Sequence, residues 1–280
     1  MEVTMAKQDD RLSRIRDKLD NTEYGSGGDH NFWKTKQGVN VVRIIDAVGD
    51  MELFWQEVGK HWTPDKKFFY CLDFTTDGEE ECPVCEFIQE LYAAGDTASK
   101  KLADQLNVQR RWYVNVLVRG EEDKGPQVYE AQPSVFKQIG ALVSDPDYGA
   151  DVYNPDEGVD LKITRTGANM NTRYEVVARR KVSALLETDE EIEAVLEQAA
   201  DLLPWLYTDD PSQDADCPEG VLIKLLPYDR LKDAFDALDI GGVQAKRERK
   251  RIDKETPFDD GEDDEDDAPV RKRSRRSRRR

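Results

Sequence analysis

Four of the six cysteine and histidine residues in this 280-residue chain fall within one stretch of 25 residues: His61, Cys71, Cys82 and Cys85. Nine residues separate His61 from Cys71, ten separate Cys71 from Cys82, and Cys82-Pro-Val-Cys85 completes the set. Three thiolates and one imidazole are donors that hold Zn²⁺ tetrahedrally, and four protein ligands leave no open coordination position. The expected ion is therefore one structural Zn²⁺. It would clip the loop around Asp77-Gly78, and the helix that follows Cys85, to the preceding strands. Taken alone, Cys82-Pro-Val-Cys85 also fits a thiol–disulfide oxidoreductase, because a helix N-terminus lowers a thiol pKa. The strand–helix–strand setting of thioredoxin-like domains is missing, however. Cys217 and His30 have no companions and read as bystanders.

Around this constellation the chain has the texture of short strands. Val39–Ala47, Met51–Val58, Lys67–Phe74, Arg111–Val118, Gln127–Gln132, Val159–Thr166 and Arg173–Arg180 are β-branched or aromatic runs bounded by Gly, Asp, Asn or Pro. Helical spacing predicts helices over Gln8–Leu19, Val84–Ala94, Ala98–Leu106 and Ser134–Val143. Two more, about Asp189–Leu203 and Tyr228–Leu238, follow the last strand. Helices inserted among short strands, without regular alternation, predict an α+β class with a small, mostly antiparallel β-barrel core.

Charge divides the chain further. The net charge is −18, yet its carriers are segregated. Glu187–Asp216 holds eleven acidic residues and no Lys or Arg, Asp259–Asp267 eight acidic residues in nine, and Arg271–Arg280 eight basic residues in ten. Runs this dense cannot bury apolar area, so 241–280 is expected to be a disordered tail, acidic at 259–267 and Arg-rich at 271–280. Residues 1–30 read as an N-terminal arm ending in the linker Tyr24-Gly-Ser-Gly-Gly28. The core is placed at 31–240, with a zinc subdomain at about 60–95 and an acidic helical segment at 187–240. Met1–Asp10 lacks an apolar signal region and the apolar runs are only strand-length. A cytoplasmic protein, neither secreted nor membrane-spanning, is expected.

A negative total does not exclude nucleic acid, because binding follows the local placement of cations. Aromatics and cations interleave at Phe32-Trp-Lys34-Thr-Lys36, at Lys66-Lys-Phe-Phe-Tyr70, at Arg165, and at Arg173-Tyr174. The strand Arg110-Arg111-Trp112-Tyr113-Val-Asn-Val-Leu-Val-Arg119 is the densest case. Strand alternation sends Trp112, Val114, Val116 and Val118 to the interior. It sends Arg111, Tyr113, Asn115, Leu117 and Arg119 to a groove, where Tyr113 could stack on a base. Lys34, Lys36, Arg110, Arg111, Trp112, Tyr113, Arg119, Arg165, Arg173 and Tyr174 are the candidate single-strand contacts. No phosphate-binding glycine loop, zincin motif or nucleophile elbow is present, so no enzyme activity is expected.

In order and approximate spacing, these segments resemble the single-stranded DNA-binding (helix-destabilising) proteins of T-even-type bacteriophages. The matching segments are Trp33-Lys-Thr-Lys36 with Val41-Val-Arg-Ile44, then His61, Cys71, Cys82-Pro-Val-Cys-Glu-Phe-Ile88, Trp112–Val118, Val128–Val143 and Gly158–Ile163 through Arg173-Tyr174. The resemblance implies an OB-fold core, His61, Cys71, Cys82 and Cys85 as zinc ligands, and a basic cleft for single-stranded DNA. It implies Arg111, Trp112, Tyr113 and Tyr174 as cleft residues, with Lys34 and Lys36 beside them. It further implies roles in replication, recombination and repair in an infected bacterial cell, self-association through the N-terminal arm, and replication and recombination proteins as partners of the tail. Two features depart from that family. The first twenty residues balance five basic against five acidic residues, and the tail continues past its acidic run into Arg271–Arg280. A zinc-containing RNA-binding or transcription accessory protein is the alternative within nucleic-acid biology.

Overall fold

The computed structural model describes residues 32–206, 221–238 and 240. The expected N-terminal helix and the charged tail lie outside them. Eight strands form one sheet: β1 (Phe32–Trp33), β2 (Gly38–Ile44), β3 (Trp55–Trp62), β4 (Phe68–Tyr70), β5 (Gln109–Val118), β6 (Gln127–Ala131), β7 (Gly158–Thr166) and β8 (Arg173–Ser183). Among the described residues six α-helices accompany it: α1 (Leu72–Thr75), α2 (Pro83–Ala94), α3 (Thr97–Leu106), α4 (Pro133–Val143), α5 (Asp189–Gln198) and α6 (Tyr228–Asp236). A parallel pair, β9 (Pro204–Leu206) with β10 (Ile223–Leu225), stands apart from the large sheet.

The sheet runs β1-β6-β5-β2-β7-β8, and β5 organises it. One edge of β5 pairs with β6, while its other edge is shared: residues 109–114 pair with β3 and residues 116–118 with β2. All these pairings are antiparallel except β1 with β6. The chain is thus mixed α+β around a large, mainly antiparallel sheet.

The main core lies on one face of this sheet. Val42 and Ile44 of β2, Val114, Val116 and Val118 of β5, Leu161 and Ile163 of β7, and Val176 and Ala178 of β8 meet there with Val135 and Ile139 of α4. Helix α4 starts at Pro133, whose missing N–H is no loss at a first helical position. It reaches across to β8 through Gln138, which donates to the Tyr174 carbonyl at 3.2 Å and accepts from the Val176 N–H at 2.9 Å. The amide serves that stretch of the edge strand as a neighbouring strand would.

The interior assignment of Val114, Val116 and Val118 holds, but the opposite face of β5 is no open groove. Leu117 is buried in a second core with Ile45, Leu185, Ile192 and Val195, built by the acidic helix α5. Asn115, also buried, donates to the Ala200 carbonyl at 2.8 Å and accepts from the Ala200 N–H at 3.3 Å. The acidic residues of α5 face outward while Ile192 and Val195 clamp the helix down, and a capping box of Thr188 and Glu191 fixes its start.

Three elements depart most from their expected bounds. Strand β3 begins at Trp55 and runs to Trp62, because Met51 to Phe54 forms a bend whose Met51 and Phe54 side chains turn inward. The run Lys67–Phe74 is a strand only to Tyr70: the Cys71 sulfur accepts the Phe74 N–H and caps α1. Helix α5 ends at Gln198 rather than Leu203, with Pro204 opening β9, so the helices do not close the fold without further strands.

Asn115→Ala leaves the partly buried carbonyl and N–H of Ala200 without their partners. It should lower stability by about 1–3 kcal/mol, read as a reduced urea midpoint at constant slope. An unchanged midpoint would show that Asn115 does not hold the α5 layer on β5.

Candidate metal centre and nucleic-acid interface

β3 and β5 are direct neighbours in the sheet, so everything between them, β4 and α1 to α3, is an insertion on one strand pair. The four metal-type donors lie at its turning points. His61 is on β3, Cys71 caps α1, Cys82 precedes Pro83 at the start of α2, and Cys85 is in the first turn of α2. Their ligand atoms all lie within 4.8 Å of one another. His61 Nε2 is 3.6 Å from Cys82 Sγ and 3.5 Å from Cys85 Sγ, and Cys71 Sγ is 3.5 Å from Cys85 Sγ. Ligands about 2.0–2.3 Å from a tetrahedral ion are separated by about 3.4–3.8 Å. The donor set and its spacing fit an ion of that kind.

The imidazole is oriented for the task. His61 Nδ1 lies 2.8 Å from the Leu106 carbonyl at the end of α3. An N–H there must be the donor, which leaves the Nε2 lone pair facing the sulfurs. The sulfurs lie too far apart for a disulfide, and all three cysteines are free. Hydrogen bonds from the Cys71 and Cys85 thiols pull the Cys82 thiol far down, while its hydrogen bond to Cys82 pushes Cys71 far up. Three thiols packed this closely oppose one another's ionisation, and a cation would supply the charge that lets all three ionise.

The backbone is built around these ligands. The Gly59 carbonyl accepts the Cys71 N–H at 2.8 Å, and the Gly59 N–H donates to Thr75 Oγ1 at 3.2 Å. A Cβ on Gly59 would sit 2.9 Å from Phe74 Cβ and 3.0 Å from Cys71 Cβ, so only glycine fits. On the far side, α6 packs against α2, with Phe235 edge-on to Phe87 at 5.3 Å and to Phe69 at 6.1 Å.

The candidate DNA contacts sort onto two faces. Arg110 and Trp112 share the face of Val114, where Trp112 stacks on Phe136 of α4 at 4.7 Å with an interplanar angle of 6°. Trp55 stands edge-on to the same Phe136 at 5.4 Å. Arg165 and Tyr174 are directly paired on β7 and β8, in line with the core residues Ile163 and Val176. Arg165 donates to the Thr35 carbonyl at 2.9 Å. Trp55, Trp112, Phe136 and Tyr174 are all partly buried at the margin of the main core, and α4 joins them through Phe136 and Gln138. Arg110, whose side chain is 60% exposed, shares the face of Trp112, and Lys137 and Arg173, next to Phe136 and Tyr174 in sequence, are exposed.

The other face is different, and here the expected placement is corrected. Tyr113 is 1% exposed. Its hydroxyl is 3.0 Å from that of Tyr70, its ring lies under the Lys60 ammonium, and burial pushes its pKa well up. A ring so enclosed cannot receive a base. Lys60 is also buried, against the rings of Phe68 and Tyr70, and pairs with Glu130 at 2.8 Å. Burial pushes the ammonium pKa down and the Glu130 carboxylate opposes the shift. Arg111 joins Glu130 at 3.3 Å, and Arg119 is bound to Asp160 at 2.9 Å and to the Leu185 carbonyl at 2.8 Å. These cations serve internal carboxylates. Lys34 is exposed near β1, and Lys36 is exposed but paired with Glu121. Sequence reasoning missed Phe136 and Lys137; the signal lay in the period of α4, which puts Phe136 on the side of Val135 and Ile139 that meets β5.

A family model described as gp32 DNA binding protein like matches residues 36–215, which spans the metal cluster and the whole aromatic margin. The chain belongs to the gp32-like DNA-binding proteins. No curated protein matches it. In this gp32-like chain the matched segment runs from just before β2 to beyond β9. No helix of the described residues is long and apolar enough to cross a membrane.

Gly59→Ala should weaken metal binding about 10- to 100-fold by displacing Cys71, measured by competition with a chromophoric chelator. Undiminished affinity would mean that the Gly59–Cys71 contact does not set the ligand geometry.

Proposed function

We propose that this gp32-like chain is a sequence-independent single-stranded DNA-binding protein of phage replication, recombination and repair, and not an enzyme. The observation that carries the reading is the family match across a segment whose partly buried aromatics gather at one margin beside exposed cations. Bases are taken by aromatic faces and phosphates by cations in sequence-tolerant binding. Trp112, Phe136, Trp55 and Tyr174 are the stacking surface in this proposal. Arg110, Lys137, Arg165 and Arg173 are its phosphate partners, with Lys34 and Lys36 just beyond the end of β1. Arg111 and Arg119 act indirectly, by holding β6 and β7 in place through Glu130 and Asp160.

The sharing of one β5 edge between β2 and β3 supports an OB-fold-like core. His61, Cys71, Cys82 and Cys85 hold one structural Zn²⁺, whose charge stabilises three thiolates. The N-terminal arm is assigned to self-association along the strand and the tail to replication and recombination proteins.

Titration of tryptophan fluorescence with oligo(dT) at two salt concentrations tests the reading. Log affinity should fall against log salt with a slope of about −0.7 per phosphate contacted. Trp112→Ala should cost about 1–3 kcal/mol of binding, whereas Tyr113→Phe should leave affinity unchanged. Tighter binding to RNA of equal length would favour the RNA-binding alternative, and insulin reduction by Cys82 and Cys85 in metal-free protein would favour the oxidoreductase.

A further inference from the structure

One acidic side chain stands within the aromatic margin. Glu57 on β3 is the direct antiparallel partner of Trp112, so the two side chains are neighbours on the same face. Its nearest cation is Arg110, whose Nη1 is 3.6 Å from Glu57 Oε1, beyond hydrogen-bond length. Oε1 is buried without a hydrogen-bond partner. Among the described residues nothing donates to the carboxylate, although the side chain as a whole is 34% exposed. Burial raises the Glu57 pKa, Arg110 lowers it and Asp77 adds to the rise. An anion beside a nucleic-acid surface repels phosphate, so its placement there calls for a compensating contact. A carboxylate short of donors is satisfied by an N–H group, and nucleobases differ in how many they carry.

We propose that Glu57 is a specificity-determining residue of the single-strand interface: a base stacked at Trp112 donates its exocyclic amino group to the Glu57 carboxylate. Arg110 lies beside the carboxylate, its own guanidinium resting 4.9 Å over the Phe74 ring. Cytosine offers an amino group next to a ring acceptor. Thymine presents one ring N–H between two carbonyl oxygens, and those oxygens repel the carboxylate. Binding that tolerates any sequence through stacking and phosphate contacts thus acquires a graded preference at one position, for amino-bearing bases over thymine. This rests on the single-strand reading given above.

The test compares oligo(dC) and oligo(dT) of equal length on the full chain carrying its metal, for wild type, Glu57→Gln and Glu57→Met. Met removes charge and acceptor at nearly constant length, whereas Gln removes the charge and keeps an acceptor. The dC-to-dT affinity ratio should drop about fivefold or more in Glu57→Met and less in Glu57→Gln, with metal content and circular dichroism unchanged. An equal gain in affinity for both oligonucleotides in both variants would make Glu57 a simple phosphate repellent and overturn the assignment. A ratio that stays constant with no gain would overturn it as well. Wild type that binds neither oligonucleotide would instead remove the single-strand reading itself.

Discussion

The donor cluster at the root of the β3–β5 insertion is the constraint on which the architecture depends. Between Trp62 and Gln109 the chain leaves the sheet and returns to it, with only β4 and three helices between. Those helices bury Leu72, Val84, Phe87, Ile88, Leu91, Ala103 and Leu106, a small set for so long an excursion. Drawing three sulfurs and an imidazole to within 4.8 Å of one another fixes the start of α1 and the start of α2 against β3. The His61–Leu106 hydrogen bond adds the end of α3. An uncompensated cluster of thiols would repel on ionisation. A bound cation converts that repulsion into attraction, and its binding free energy becomes folding free energy.

What the insertion positions is β5. Its first residues pair with β3, and β3 leads directly into the metal cluster. Arg110 and Trp112 therefore inherit their placement from the ligands a few residues away along the neighbouring strand. Trp112 is held from above by Phe136, and Phe136 by the packing of α4 on β8. Loss of an ion held by these ligands would be felt at the aromatic margin although no ligand touches it. The path is short: His61, β3, the Glu57–Trp112 pair, then Phe136.

The metal donors were legible because their chemistry is carried by rare residue types, and six Cys and His in 280 residues leave few combinations. Strands β5 and β7 and helices α2 to α4 were legible because alternation and helical spacing are local. The orientation of β5 was only half legible. The alternation correctly separated Val114, Val116 and Val118 from Tyr113, Asn115 and Leu117. Period-two reasoning assigns one face to the core and the other to solvent, and it fails where both faces are buried. Here the acidic helix α5, remote in sequence, covers Leu117, while Tyr70 and Lys60 cover Tyr113. Tyr113 looked like a stacking residue because it lies between two arginines, but those guanidiniums are neighbours in sequence and not over its ring. Phe136 was missed for the opposite reason, since nothing local marks a helical phenylalanine as the partner of a tryptophan on another strand.

Burial also decides which cations are available to a polyanion. Arg43 and Lys60 are almost wholly enclosed, and each is matched by a carboxylate, Asp160 at 3.1 Å and Glu130 at 2.8 Å. Inside the protein such pairs interact strongly and project little field. Arg119 and Arg111 sit at the edges of the same pairs. Arg110, Lys137 and Arg173 remain exposed, and solvent screening leaves them short-ranged but reachable by phosphate. The chain's negative total is thus compatible with a cationic surface. Its acidic residues include internal partners that hold strands together and, on α5, an outward-facing layer carried on the opposite side of β5 from Trp112. The sign of the net charge describes the sum, and the two faces of a single strand separate its parts.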